Sequence, residues 1–328
     1  MLEIINPSHD PFFNLALEEY LLDNPEIKQD IFLLWQNCPV VVVGRNQNTI
    51  EEINQSFIRE KGITVVRRIS GGGAVYHDMG NLNFTFIVND APSLTLDFTR
   101  FTAPVIKAVQ TIGVKAEDQG RNDISIKGRK FSGNAQCRRQ GRLMHHGTIL
   151  FDTNLEDMEQ ALTVDTAKIS SKGVKSVRSR VTNIAEYVSS PVTIAEFQDI
   201  LRNTIDENRE CREITPSELS AVESLRDNKF RRWEWVYGFS PPFNIRKSQR
   251  FDWGSIDFRI KVKKGLITDC KIYGDFFATG DISIIEEQLI GVRYRDQDLR
   301  QALERINLTS YFPQAYIKDI MGLIYGKR

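Results

Sequence analysis

Two periods of hydrophobic and polar positions alternate along this chain, with no internal repeat. From Asp10 the order is helical: Asp10-Pro11 offers a cap and a first-turn proline, and Phe13, Leu17 and Leu21 then recur every four residues beside Ala16 and Tyr20. An amphipathic first helix is expected. Ile31 to Trp35 and Val40 to Val43 are short apolar runs bounded by Asn37, Pro39 and Gly44, and they read as buried strands. Asn81 to Phe86 alternates polar residues with Leu82, Phe84 and Phe86, the pattern of a half-buried strand.

Further along, Phe98 to Ile112 is helical in pattern and closed by Gly113, with Pro104 marking either a kink or a helix start. A hairpin follows: Asp123 to Ile126 alternates, Lys127-Gly128 turns, and Lys130 to Ser132 returns. Thr193-x-x-Glu196 and Thr215-Pro216-x-Glu218 are capping boxes, the first leading a helix with Ile194, Phe197, Leu201 and Ile205 on one face. Regular pattern is lost near Ser240-Pro241-Pro242 and resumes as strand-like runs from Phe251 to Val262 and Leu266 to Tyr273, then as helices after Asp281 and Asp296. These signals predict a mixed α/β (α+β) chain with a large domain over residues 1–245 and a small one over 246–328.

The densest chemistry lies between Arg67 and Asp78, which reads Arg-Arg-Ile-Ser-Gly-Gly-Gly-Ala-Val-Tyr-His-Asp. Ile63 to Val66 is an apolar, β-branched run, so Arg67 and Arg68 are neighbours on a strand and point to opposite faces. Only one can face a pocket. Three glycines without Cβ atoms let a ligand reach the main chain, and successive N–H groups can cradle an oxyanion. The segment is not a P-loop, having no G-x-x-x-x-G-K-[ST], and Tyr76 stands where a dinucleotide fingerprint needs its last glycine.

Composition adds exclusions. Lys plus Arg and Asp plus Glu both number 43, so no general nucleic-acid or membrane-surface binder is expected. The first residues lack the basic and apolar regions of a secretory signal, no apolar stretch has membrane-spanning length, and a cytoplasmic protein is expected. Cys38, Cys137, Cys211 and Cys270 are scattered without metal-ligand spacing and read as free thiols. His145 and His146, adjacent on a strand, diverge and cannot serve one metal.

The segment from Arg67 resembles the R-R-x-S-G-G-G-A-V-[FY]-H-D signature of the lipoate-protein ligase A family. The resemblance continues in order through Gly44-Arg45-Asn46-Gln47-Asn48, Gly120-Arg121-Asn122-Asp123, Arg129-Lys130-Phe131-Ser132-Gly133, His145-His146-Gly147-Thr148 and the basic stretch Ser171 to Asn183. Trp233-Glu234-Trp235-x-x-Gly238 and Gly274-Asp275-Phe276-Phe277 are similar to the family's approach to, and a motif of, its small C-terminal domain.

The resemblance implies a biotin/lipoate ligase-like catalytic domain, related to class II aminoacyl-tRNA synthetases, plus a small α+β accessory domain. It implies ATP, Mg²⁺ and lipoate (with octanoate beside it): the acid is activated to lipoyl-AMP with release of pyrophosphate, then transferred to a lysine of a lipoyl carrier domain, as in 2-oxoacid dehydrogenase E2 subunits and glycine cleavage H protein. Nucleic acid and membrane are not implied. Lys130 is the implied catalytic cation at the carboxylate and α-phosphate junction. Substrate and ATP contacts fall on Arg45, Arg68, Ser70, Gly72, Gly73, Val75, Asn122, Asp123, Ala135, His146 and Thr148, with Trp35 lining an apolar slot. Asp123 is read as a Mg²⁺ or adenine contact or as an Asx cap, and His146 as facing the adenylate or as structural. Lys175, Ser176, Val177, Arg178, Ser179 and Arg180 are the implied loop over the adenylate. A biotin ligase is disfavoured because its G-R-G-R-x-x-x-R-W loop is absent. A cysteine-dependent octanoyl or lipoyl transferase would use Cys137, beside Arg138 and Arg139, without ATP.

Overall fold

Strand and helix alternate from the first residues, as the pattern requires. The computed structural model describes residues 1–89, 97–119, 122–162, 180–237, 245–263, 265–312 and 314–325, with the side chains of Ile50 and Glu51 outside that set. The chain forms two compact units: Met1–Val43, Ile50–Ile69 and Ala74–Val236, and Gly44–Thr49, Ser70–Gly73 and Tyr237–Arg328.

The first unit contains β1 (Leu2–Ile5), β2 (Ile31–Trp35), β3 (Val40–Val43), β4 (Thr64–Arg67), β5 (Val75–His77), β6 (Asn81–Asn89), β7 (Glu117–Asp118), β8 (Asp123–Ile126), β9 (Arg129–Arg139), β10 (Arg142–Leu150) and β11 (Glu210–Glu213). Eight of them make a mixed sheet in the order β11-β1-β2-β6-β10-β9-β8-β7, and β4-β3-β5 make a small one. β1 runs parallel to β2 and β11, while the pairs β2–β6, β6–β10, β10–β9 and β9–β8 are antiparallel.

Period-two alternation sends Phe32, Leu34, Leu82, Phe84, Phe86 and Val88 to one face, where they pack with residues of the helices Thr99–Thr111 and Ile194–Ile205. Ile31, Leu33, Trp35, Ile87 and Met144 point to the other face and pack with the helix Pro11–Asp23.

The expected strands, the cap at Asp10 and both capping boxes are present. Lys127 and Gly128 both take positive φ, 49° and 75°, as the two-residue turn of a right-twisted hairpin demands. Pro104 lies inside its helix rather than at its start. Two expectations are corrected. The first helix is not amphipathic: Asn14, Glu18 and Glu19 are buried along with its apolar residues, because it is covered on several sides. β6 is buried on both faces from Asn81 to Val88, not half-buried, since helices cover both sides of the sheet.

In the second unit β12 (Ile245–Phe251), β13 (Gly254–Lys263) and β14 (Leu266–Gly274) form an antiparallel sheet. The single run expected from Phe251 to Val262 is broken at Asp252 and Trp253, and Gly254 takes φ 149°. Ile256, Phe258, Ile260 and Ile272 pack with residues of the helices Ser283–Leu289, Asp296–Leu303 and Ile317–Ile324. Among the described residues no helix is long and apolar enough to cross a membrane.

Gly147 shows how tightly the larger sheet is packed. A Cβ there would overlap the Phe84 ring and the Asn134 side-chain oxygen. Gly147→Ala is therefore expected to cost about 1–3 kcal/mol of folding stability from overpacking. Urea unfolding of the variant beside the wild type measures this, and an unchanged midpoint would contradict it.

Candidate active site

Lys130 sits on the returning strand of the β8–β9 hairpin, and the pairing there is irregular. Ile124 lies opposite Ser132, but Ser125 lies opposite Lys130, so Phe131 is an extra residue on β9. A bulge of this kind re-aims its neighbours. Phe131 is fully buried in the helix-covered core, while the Lys130 side chain lies against the backbone of Gly133. A Cβ on Gly133 would stand 2.7 Å from Lys130 Nζ, so the glycine provides the room that the lysine occupies. Lys130 Nζ pairs with Asp123 Oδ1 at 2.7 Å, both side chains more than a third exposed. Solvent limits such a pair to about 1 kcal/mol or less, so it is readily exchanged for another anion.

Around this lysine the strands are pinned by amide bonds. Asn122 Nδ2 donates to the Asn134 carbonyl (3.1 Å) and Asn134 Nδ2 to the Asn122 carbonyl (3.0 Å). The Gly133 N–H donates to Thr148 Oγ1 (3.3 Å). Val181 bridges to Lys130 in parallel, and the Thr182 N–H donates to the Lys130 carbonyl at 2.9 Å. The chain just after Arg180 thus runs beside the lysine. Lys175, Ser176, Val177, Arg178 and Ser179 lie outside the described residues, as do Gly120 and Arg121, and Arg180 is exposed.

A second polar group is buried against the first helix. Trp35 Nε1 donates to Thr85 Oγ1 (3.0 Å), Thr85 Oγ1 donates to Glu18 Oε1 (2.6 Å), and His146 Nδ1 lies 2.9 Å from the same oxygen. Glu18 is 1% exposed, and its Oε2 has no hydrogen-bond partner among the described residues. Arg68 is buried too and donates to the Val42 carbonyl at 3.2 Å. Burial pulls its pKa down to about 10, against the opposing pull of the Glu18 charge, so it remains a cation at neutral pH. Ala135, opposite His146 on β9, is buried, while Val75 is half-buried on β5.

The two arginines divide as neighbours on a strand should. Arg67 donates to the carbonyls of Trp235 (2.8 Å) and Val236 (2.9 Å), and Trp235 Nε1 donates back to the Arg67 carbonyl (2.9 Å). It pins the segment Trp233–Val236. Arg68 is left on the side where the Glu18 charge acts on it.

The other motif residues belong to the second unit. The Arg45 N–H donates to the Ser70 carbonyl (2.9 Å), Arg45 Nη2 pairs with Asp281 Oδ2 (2.8 Å), and Ser70 is buried. The three glycines differ: a Cβ on Gly71 would collide with the Phe276 carbonyl, Gly72 takes φ 96°, and a Cβ on Gly73 would meet nothing within 4 Å. Phe276 is fully buried, so that aromatic is packing.

The histidines separate clearly. His145 is stacked on Phe101 and Phe84, bonded to Gln136 and Asn134, and held neutral chiefly by burial. His77 accepts from Asn37 Nδ2 at Nδ1 (3.1 Å), because Asn37 Oδ1 is taken by Asn14 Nδ2 (2.8 Å). Its proton is thereby assigned to Nε2, which has no partner among the described residues. Among the described residues no cluster of three or more His, Cys, Asp or Glu could hold a metal. Cys137 is buried in the core beneath the first helix, opposite Met144. Sequence reasoning missed Glu18, Thr85 and the amide chain to His77. The available signal was a first helix apolar on nearly all sides, which leaves no solvent face for its carboxylates.

Burial, then the charges of Arg68 and His146, lowers the His77 pKa to about 3. Folding therefore competes with protonation: the contribution is complete above the unfolded pKa near 6.5 and is lost as pH falls from there toward 3. Between pH 6.5 and 5 this is about 2 kcal/mol. Urea unfolding at pH 7 and pH 5 is expected to show a smaller loss in His77→Gln than in the wild type; an identical loss would refute the buried neutral histidine.

Residues 10–206 match the Lipoyl protein ligase A/B catalytic domain, and residues 240–324 match the Bacterial lipoate protein ligase C-terminus. Lipoate-protein ligase LplJ of Bacillus subtilis (strain 168) is 45% identical over 331 residues, which cover 99% of this chain and all of that protein. Among solved structures, P. falciparum LipL1 in complex with lipoate aligns over 100% of this chain and 99% of that one, with 25% identity and a TM-score of 0.80. A lipoate-protein ligase A bound with ATP aligns over 72% of this chain and 98% of that one, with 26% identity and a TM-score of 0.61. The chain belongs to the lipoate-protein ligase family.

Proposed function

We propose that this protein activates lipoate with ATP and passes the acyl group to a lysine of a lipoyl domain, with Lys130 as the cation of the first step. That step brings a carboxylate up to the α-phosphate, and its transition state gathers negative charge where the two meet. Positive charge fixed at that point is what a protein can supply. The observation that carries the reading is the placement of Lys130: a bulge turns it onto the Gly133 face, where it is held by a partly exposed, exchangeable pair with Asp123. An incoming anion replaces Asp123 as its partner.

Arg68, cationic and buried, is the second clamp for the carboxylate or phosphate. Asn122, Thr148, Ser70, Gly72, Gly73 and Arg45 are each proposed contacts of the nucleotide or acyl-adenylate. Asp123 is the one carboxylate proposed for Mg²⁺; a hard cation carried on phosphates needs only one or two protein carboxylates, and its charge offsets that of the phosphates. Trp35 is proposed to line the acyl slot, Val75 and Ala135 to contact the substrate or nucleotide, and His146 to face the adenylate. A saturated chain gains about 0.8 kcal/mol per buried CH₂ in the slot. The Glu18–Thr85 pair fixes the indole through its N–H and so sets the shape of that slot. Lys175, Ser176, Val177, Arg178, Ser179 and Arg180 are proposed to cover the adenylate; the pairing of Val181 with Lys130 supports this. Residues 1–245 act as the catalytic domain and 246–328 as the accessory one. The proposed acceptors are E2 lipoyl domains and glycine cleavage H protein, and the proposed compartment is the cytoplasm.

Pyrophosphate release from ATP, measured with lipoate, octanoate and biotin in turn and with or without an apo lipoyl domain, tests the reading. Release with lipoate followed by carrier modification is expected; no release with any of the acids would sink it. Lys130→Ala should lower adenylate formation by about a hundredfold or more while leaving the unfolding transition in place. Near-normal turnover in that variant would remove Lys130 from the mechanism. Cys137→Ala is expected to retain both steps, and loss of transfer alone would favour a thioester route.

A further inference from the structure

Pairing aligns one row of residues straight across four strands of the larger sheet. The Gly133 N–H donates to Thr148, Thr148 lies opposite Asn83, and Asn83 lies opposite Trp35. Trp35 Nε1 donates to Thr85, and Thr85 to Glu18 of the first helix, so alternation along β6 puts Asn83 on the same face as both. The Lys130 side chain stands at the Gly133 end of the row. At about 4.8 Å per strand, Asn83 is about 10 Å and Trp35 about 14 Å across the sheet from β9. An acid whose carboxylate is held at Lys130 and whose chain runs along this row brings its far end to Asn83 and the indole.

That end holds two buried N–H donors with nothing to donate to. Asn83 is 1% exposed; its Oδ1 accepts from Asn81 Nδ2 at 3.0 Å, which assigns the amide, and its Nδ2 has no partner among the described residues. His77 is 3% exposed and edge-on to the Trp35 indole, with ring centroids 6.2 Å apart, and its Nε2–H is likewise unpartnered among the described residues. Thr85 gives the contrast: it is two residues along β6 and equally buried, yet bonded twice. A buried donor without an acceptor costs stability, so an amide at position 83 calls for a reason other than packing.

We propose, given the lipoate activation proposed above, that Asn83 is a specificity-determining residue of the acyl slot: its Nδ2–H donates to a sulfur of the disulfide ring at the far end of lipoate, with His77 Nε2–H as a second donor beside it. Sulfur is a weak acceptor, but the competing acid offers none. Octanoate fills the same space with methylene and methyl groups and leaves the buried donors unpaired, which is how a site rejects an analogue lacking one polar group. A buried water could also pair with Asn83, with Glu18 Oε2 and Asn81 Oδ1 as further unpaired atoms on this face. Such a water would occupy the end of the slot that the tail must enter, and it would treat tails with and without sulfur alike.

The test measures pyrophosphate release from ATP by the full-length protein, without carrier, with lipoate and with its carbocyclic analogue, in which a methylene replaces each sulfur and the ring shape is kept. In the wild type, kcat/KM is expected to be about tenfold higher with lipoate. In Asn83→Leu, apolar and of similar shape, the ratio of the two acids is expected to fall toward one. Because both acids meet the same enzyme, partial misfolding lowers the two rates together and leaves the ratio alone. Asn83→Ala gives the same reading where the leucine is not accommodated. Equal use of the two acids by the wild type would overturn the proposal, and so would a lipoate preference kept in both variants, the result expected of a bound water. A wild type that releases no pyrophosphate with lipoate would instead overturn the function on which the proposal rests.

Discussion

A sheet covered on both faces leaves no water for the polar groups of its central strands, and the arrangement of the first unit follows from that constraint. Each polar side chain on β6 and β10 must find a partner in the protein or face a ligand. Thr85, His146 and Trp35 lie on the side of the first helix, and Glu18 from that helix meets them with one carboxylate oxygen. Burying a charge there is expensive unless it is paired and hydrogen-bonded. Arg68, drawn in by the same charge, completes the group. The unused oxygen of Glu18 and the unused N–H of His77 mark where that pairing stops within the described residues.

Local signals were legible. Asp10, Thr193 and Thr215 cap the helices they precede, Lys127-Gly128 turns the hairpin, and apolar runs such as Val40–Val43 are buried strands. These depend on residues within a few positions of one another, which sequence displays directly. The motifs around Arg68, Lys130 and His146 were legible as chemistry for the same reason. Long-range covering was not: whether β6 is half or fully buried depends on the distant helix Pro11–Asp23 on one face and on the helices Thr99–Thr111 and Ile194–Ile205 on the other.

Two adjacent arginines illustrate the boundary between the two kinds of information. Alternation dictates that Arg67 and Arg68 part company, but only the arrival of Trp235 and Val236, far along the chain, decides which one becomes scaffold. The glycine triplet behaves similarly. Its run invites a single explanation in terms of ligand approach, yet Gly71 is required by the Phe276 carbonyl and Gly72 by its own backbone angle, while a Cβ on Gly73 would meet nothing within 4 Å.

The extra residue at Phe131 changes what kind of variation this protein can tolerate. Because the lysine's direction depends on two residues of β9 matching one step of β8, it is set by the count of residues as much as by their identity. Exchanging Phe131 for another apolar residue preserves the count. Adding a residue to β8 opposite Phe131 would restore an unbroken ladder and swing Lys130 to the opposite side of the sheet, away from Gly133. Length in this hairpin is therefore under a stricter rule than spelling, and natural variants should drift in letters there long before they drift in register.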